Sequence, residues 1–275
     1  MKRVICYVDG HYLPITTAGV PVTDLLVQRG YGIFDFLRVS QNKPLFLEDH
    51  LTRFYNSANT MRLNLKESKE ELIAIVYKLI EENQFEYSGL RLILGGGDSQ
   101  DGYTISEPRL VILQQSLVAP PASLPTKGIK LVTYNYQRQL ARVKTTDYLM
   151  AIYLQPWMKE QQSDDILYCS EGFVRECPRS NFFIVKDNII ITPLNNMLLG
   201  VTRKNIIRVA AANHLKLEER DLSIQEIKNA DEAFITSSTK RLTSVRQIDD
   251  YVLPVIRESS VANTLYNLLK EEELK

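Results

Sequence analysis

Four separated stretches of the 275-residue chain carry the residue types of one kind of chemistry. Lys144 stands in ARVKTTDYLM, where an apolar stretch gives way to a helical pattern. Arg53 lies in EDHLTRFYNSA, Glu176 in GFVRECPRSNFF, and Gly200-Val201-Thr202-Arg203 opens a helical pattern, TRKNIIRVAAANHL. Taken singly, each has an ordinary structural reading. Most lysines are solvated, an arginine can snorkel from a helix, a strand glutamate can face outward, and a threonine can simply cap a turn. Taken together they offer an amine for a Schiff base, an acid for a ring nitrogen, and a guanidinium with a helix N-terminus. The free N–H groups and dipole of such a terminus suit a phosphate. Those are the requirements of pyridoxal phosphate.

The elements that must position these residues alternate between strands and helices. VICYV-DG-HYLPI reads as a hairpin, because Asp-Gly tolerates the positive φ of a tight primed turn. GIFDFLRVS reads as a largely buried strand. Helices are expected over Glu48–Met61 and Glu67–Asn83, the second with Leu72, Val76, Leu79 and Ile80 on one face. LRLILGGG and RLVILQQSLV read as strands around the glycine-rich loop 95–102. APPASLPTKG, residues 119–128, interrupts regular structure with prolines and a glycine and marks a boundary. Beyond it come a strand (IKLVTYNYQ), a helix after Lys144, and hairpins turning at Ser170–Gly172 and Asp187-Asn188. A helix from about Thr202 to His214, a strand (EAFITSS) and a final helix near Glu258–Glu273 follow. The expectation is an α+β (mixed α/β) chain without doubly wound parallel order. It divides into a smaller N-terminal domain (1–118), a linker (119–128) and a larger cofactor-binding domain (129–275).

Composition narrows the function. Lys+Arg and Asp+Glu are equal at 33 each, so no overall field favours nucleic acid or an anionic membrane. No apolar run approaches the ~20 residues of a membrane span, and MKRVICYVDGHYLP turns polar too early for a signal-peptide core. Cys6, Cys169 and Cys177 are odd in number and lack metal-type spacing, which fits a reducing cytoplasm. His11, His50 and His214 form no ligand pattern, so no metal site is expected.

Six motifs, in order from about Tyr7 to Asp249, resemble the class IV aminotransferase family of pyridoxal-phosphate enzymes. That family includes branched-chain and D-amino acid aminotransferases and aminodeoxychorismate lyase. RGYGIFDFLRV looks like the early glycine-rich strand and DHLTRFYNSA like the H-x-x-R-x-x-x-S-A helix. VKTTDYL resembles the Schiff-base lysine segment, and EGFVRECPRSNFFIVKDNIIITP the stretch with the ring-nitrogen glutamate and its S-N follow-on. LLGVTRKNII is similar to the phosphate turn, and DEAFITSSTKRLTSV to the last phosphate-side loop.

The resemblance implies the family's two-domain fold, a pyridoxal 5'-phosphate cofactor, a homodimer, and roles for individual residues. Lys144 would form the Schiff base and then shuttle a proton. A lysine ordinarily titrates near ~10.4, so its site must lower that value for work near neutrality. Glu176 would keep the pyridine nitrogen protonated, with Ser180 and Asn181 following it at the cofactor. Arg53, Val201, Thr202 and Ser238 would bind phosphate. Tyr148 would reach the phenolic oxygen from Lys144's side of a helix, if the helical turn begins at the lysine; an ordinary core tyrosine is the other reading.

Departures from the family pattern lie where substrates bind. Phe34 stands where D-amino acid aminotransferases have tyrosine. In GGGDSQDGY, Gln100 and Gly102 replace the carboxylate-trapping arginine and histidine, and Gly102-Tyr103 is closer to the lyase. Arg179, Lys240 and Arg241 add positive charge to cofactor-flanking motifs. Arg179 and Lys240 have two readings, gripping a substrate carboxylate or standing solvated. Phe34, Tyr103, Arg179, Thr239 and Lys240 are therefore the candidate substrate residues. The leading expectation is an aminotransferase acting between an amino acid, branched-chain-like or related, and a 2-oxo acid. The alternatives are aminodeoxychorismate lyase, which makes 4-aminobenzoate and pyruvate, and a non-catalytic relative.

Overall fold

The computed structural model describes residues 4–275, which fall into two compact units. The first holds the described residues up to Ala119 together with Val143–Asp147; the second holds Pro120–Arg142 and Tyr148–Lys275. Mixed strands and helices make the fold α+β.

In the first unit, β1 (Ile5–Val8) and β2 (His11–Pro14) form the Asp9-Gly10 hairpin, with φ of 45° and 88° at the two turn residues. The sheet is completed by β3 (Gly32–Ser40), β4 (Lys43–Pro44), β5 (Tyr87–Gly95) and β6 (Arg109–Ser116). Its order is β2-β1-β6-β5-β3-β4, antiparallel throughout. A short helix, α1 (Leu25–Arg29), precedes β3; α2 (Leu47–Thr60) and α3 (Lys69–Asn83) follow β4. The apolar stripes of α2 (Leu51, Phe54, Ala58) and α3 (Leu72, Val76, Leu79, Ile80) close over Ile33, Leu37, Leu90, Leu92 and Ile112. α3 starts two residues later than the periodicity implies. Ser68 and Glu71 form a reciprocal capping box there, which makes Ser68 the cap and excludes Glu67.

Val143–Asp147 belongs to this unit because its backbone joins the edge of β3. Phe34 N donates to Lys144 O and Thr146 N donates to Gly32 O, each at 2.9 Å, while Val143 packs into the helix-covered core. Thr146 Oγ1 adds bonds to the carbonyls of Gly30 and Gly32. A segment bonded in this way is extended, as its β-branched threonines favour, and the helical turn conjectured at the lysine is absent. The following helix, α4 (Leu149–Tyr153), begins only after Tyr148.

The second unit is built on a ten-stranded mixed sheet. Its strands are β7 (Ile129–Asn135), β8 (Asp165–Ser170), β9 (Phe173–Val174), β10 (Glu176–Cys177), β11 (Ser180–Lys186) and β12 (Ile189–Thr192). They continue with β13 (Leu217–Glu219), β14 (Glu232–Ser237), β15 (Arg241–Ile248) and β16 (Tyr251–Val252). The main path runs β13-β12-β11-β14-β15-β7-β8-β9, with parallel pairing only at β12–β13, β15–β7 and β7–β8. Positive φ at Glu171-Gly172 and Asp187-Asn188 closes the two hairpins read from the sequence. The helices are α4, α5 (Gln155–Glu160), α6 (Val201–Ala212), α7 (Ile224–Ile227) and α8 (Val261–Leu274). Residues 120–128 are held inside this unit. Pro121, Ala122 and Pro125 offer carbonyls to Tyr266, Lys270 and Ser244.

Candidate active site

In the first unit, β3 carries a carboxylate into an otherwise apolar run, and α2 meets it with two bases. Asp35 is 1% exposed. Arg53 grips it with a fork, Nε to Oδ2 at 2.8 Å and Nη2 to Oδ1 at 2.7 Å. His50, one helical turn before Arg53, contacts Asp35 Oδ1 through Nδ1 at 2.7 Å. The carboxylate can only accept, so Nδ1 carries the hydrogen. Burial pushes the Asp35 carboxyl up, but the charges of Arg53 and His50 outweigh it and hold it well below the usual range. Burial pushes His50 down; Asp35 opposes this, while Arg53 and Lys144 reinforce it, and the net shift is downward. Arg53 therefore does not snorkel. It is fixed by Nε and Nη2.

Lys144 is half-buried beside the same group. Its backbone N–H donates to Ser57 Oγ at 3.3 Å, and its Nζ lies 4.5 Å from the centre of the Phe34 ring. Of the candidate residues, the first unit thus brings together Arg53, Lys144 and Phe34. Tyr103 stands apart, 85% exposed in a loop whose backbone Asp101 organises.

In the second unit, Glu176, Asn181 and Thr236 form one rung across β10, β11 and β14. Glu176 is buried, not outward-facing. Its Oε1 accepts from Arg138 Nε at 2.8 Å and its Oε2 from Leu198 N at 3.1 Å. Asn181 Nδ2 donates to Leu198 O at 2.7 Å, so both ends of the peptides flanking Leu198 are tied. Ser180 is buried next to Asn181, and Thr236 Oγ1 is buried with no hydrogen-bond partner among the described residues.

The tie at Leu198 delivers the chain into Gly200, the N-cap of α6. A Cβ at Gly200 would stand 2.0 Å from Asn181 Oδ1, so only glycine fits. The cap has no side-chain hydrogen bond and the first turn has no acidic residue. Thr202 is therefore not a cap; it is buried within the first turn, beside Val201. Arg203 turns to Glu219 and the Pro193 carbonyl.

Ser238, Thr239 and Lys240 occupy the turn between β14 and β15, and Arg179 the turn between β10 and β11. Arg179, Thr239 and Lys240 are exposed. Arg241 is engaged elsewhere, with Nε at 2.8 Å from Glu273 Oε2 and Nη1 on the Tyr266 hydroxyl and the Pro121 carbonyl. Tyr148 precedes α4 outside any helix, so helical spacing does not pair it with Lys144.

Sequence reasoning missed Asp35, Arg138 and Thr236, and read His50 only as a failed metal ligand. A lone aspartate inside GIFDFLRV was the available signal for the first. Nothing local marks the other two.

The family described as amino-transferase class IV matches residues 32–248. The chain belongs to the class IV aminotransferase family. Among its relatives is D-alanine aminotransferase of Bacillus licheniformis, 26% identical over 97% of this chain and 98% of that one. The solved branched-chain amino acid aminotransferase of Escherichia coli superposes with a TM-score of 0.91 at 21% identity, covering 98% and 94% of the two chains. A Legionella pneumophila structure provisionally named 4-amino-4-deoxychorismate lyase gives 0.86 at 25% identity, covering 94% and 97%. Class IV aminotransferases use pyridoxal phosphate, and each unit carries groups whose chemistry suits it. Among the described residues, the first unit holds Arg53 by Nε and Nη2, and the second has a helix N-terminus with no side-chain cap and no acid in its first turn, a buried carboxylate and a buried hydroxyl with no partner.

Proposed function

We propose that the protein is a pyridoxal-phosphate-dependent aminotransferase that moves an amino group between an amino acid and a 2-oxo acid, with Lys144 as the point of attachment. The observation that carries this reading is the pinning of Lys144 by main-chain bonds to β3, beside the Asp35–His50–Arg53 group. When bound, the cofactor supplies an electron sink for the bonds at the substrate Cα.

The chain's residues do the rest. By the family resemblance, Arg53, the Val201 and Thr202 amides, the Thr202 hydroxyl and Ser238 each serve the phosphate. Glu176 holds a proton on the ring nitrogen, Asn181 steadies the turn before α6, and Tyr148 contacts the phenolic oxygen. Once released from attachment, Lys144 Nζ moves the proton of the substrate Cα. Phe34 lies against this amine, with its ring centre 4.5 Å from Nζ. The relatives' names point to branched-chain amino acids or D-alanine as substrates. The resemblance also leads us to a cytoplasmic homodimer, measurable by light scattering and fractionation.

The test is a purified protein supplied with pyridoxal phosphate. A yellow absorbance band, bleached by borohydride and lost in Lys144→Ala, is expected; a protein without it is not this enzyme. An amino-acid panel that converts the band to the pyridoxamine form then names the donor. The resemblance of loop 95–102 to the lyase favours a second reading, supported by the Legionella likeness. Pyruvate released from aminodeoxychorismate without an amino acceptor would establish it.

A further inference from the structure

We propose that Arg138 is a positioning residue that keeps Glu176 ionised and aimed, and that it acts on the cofactor only through that carboxylate. The proposal rests on the assignment of Glu176 to the ring nitrogen.

Arg138 lies in the irregular stretch after β7, and its guanidinium spans two targets. Nε donates to Glu176 Oε1 at 2.8 Å, and Nη2 donates to the Ala141 carbonyl at 2.7 Å. Ala141 is three residues before Lys144. The second oxygen of Glu176 takes Leu198 N, two residues before the Gly200 cap, and Asn181 clamps the Leu198 carbonyl. One ion pair therefore touches the run-up to the lysine, the acid-bearing hairpin and the run-up to the phosphate turn.

The side chains of Arg138 and Glu176 are only 15% and 7% exposed. A carboxylate so buried is driven toward its neutral form unless a charge opposes the loss of water. A neutral Glu176 would be a poor partner for a protonated ring nitrogen. Arginine is suited to the post because its planar fork reaches two acceptors while its charge is permanent; lysine offers a single mobile point charge. A purely structural arginine would lower stability on removal and leave the cofactor's electronics alone. A positioning arginine changes both.

The experiment is a pH titration of the visible band in the cofactor-loaded protein, run on wild type, Arg138→Met, Arg138→Lys, Glu176→Gln and Glu176→Gln/Arg138→Met. Cofactor dissociation constants and melting of the cofactor-free proteins are recorded alongside. Arg138→Met is expected to move the band's pH midpoint by about one unit or more and to weaken cofactor binding about tenfold. Arg138→Lys should recover part of both. In the Glu176→Gln background, losing Arg138 should add no further shift. An unmoved midpoint in Arg138→Met, or a further shift in the double variant, overturns the proposal. If Arg138→Met does not fold, the double variant, which leaves no buried carboxylate unpaired, is compared with Glu176→Gln and decides it alone. A Glu176→Gln variant whose midpoint stays at the wild-type value instead overturns the functional assignment of Glu176, a result distinct from a midpoint that moves in Glu176→Gln but not in Arg138→Met.

Discussion

Asp35 and Arg53 are joined by two parallel hydrogen bonds of 2.8 and 2.7 Å, the carboxylate fully buried in β3 and the guanidinium reaching it from α2. The pair aims Arg53 without consuming it. Asp35→Asn keeps the shape and removes the charge, leaving Arg53 without its counter-ion. Breaking a buried pair in this way costs about 3 kcal/mol, readable by urea unfolding of the cofactor-free protein. The cofactor's dissociation constant should rise in the same variant. An unchanged constant would mean that Arg53 does not serve the phosphate.

His50 makes acid stability sensitive to one imidazole. Its folded pKa lies below the ordinary 6.5, so the unfolded chain takes up a proton first as pH falls. Stability is full above about pH 6.5 and declines as pH drops from there through the folded value. Asp35, also depressed, keeps its contribution until pH falls below its ordinary 3.8. His50→Gln can still donate to Asp35 but does not titrate. Its unfolding free energy should vary less than the wild type's between about pH 7 and 5; parallel curves would contradict this.

Gly200→Ala tests the turn ahead of α6. The added methyl would drive Asn181 away and break its hold on Leu198. Overpacking of this kind costs about 1–3 kcal/mol, seen as a lower melting temperature, and cofactor affinity should fall with it. Asn181→Ala in the same chain removes the clash and should restore part of the melting temperature. No recovery would place the cost elsewhere.

Arg241 is a separate matter, because its partners are Glu273, Tyr266 and Pro121. Arg241→Lys retains the charge but not the fork that ties α8 to segment 120–122. A loss of about 1–2 kcal/mol in unfolding is expected, with substrate KM unchanged. A KM that rises while stability holds would give Arg241 a part in substrate binding instead.

Much of this fold is legible from short-range chemistry. The hairpins at Asp9-Gly10, Glu171-Gly172 and Asp187-Asn188 are set by residues that accept positive φ, and α3 by its apolar stripe. The site is less so, because its bonds reach across the chain. Asp35 meets partners 15 and 18 residues away, and Arg138 meets Glu176 across 38. Thr146 bonds to Gly30 and Gly32, over a hundred residues earlier, and that pairing overrides the helical turn drawn at Lys144. Arg241 read only as added positive charge in a cofactor-flanking motif because its counter-ion lies 32 residues on, in a helix whose pattern announces only an apolar face.

The bonds that join Lys144 and Thr146 to β3 include two from main chain to main chain, which any residue at either position could make. Those two links survive a change of letter at 144 or 146, so the place of this segment along β3 is inherited from the backbone ladder even where its side chains drift.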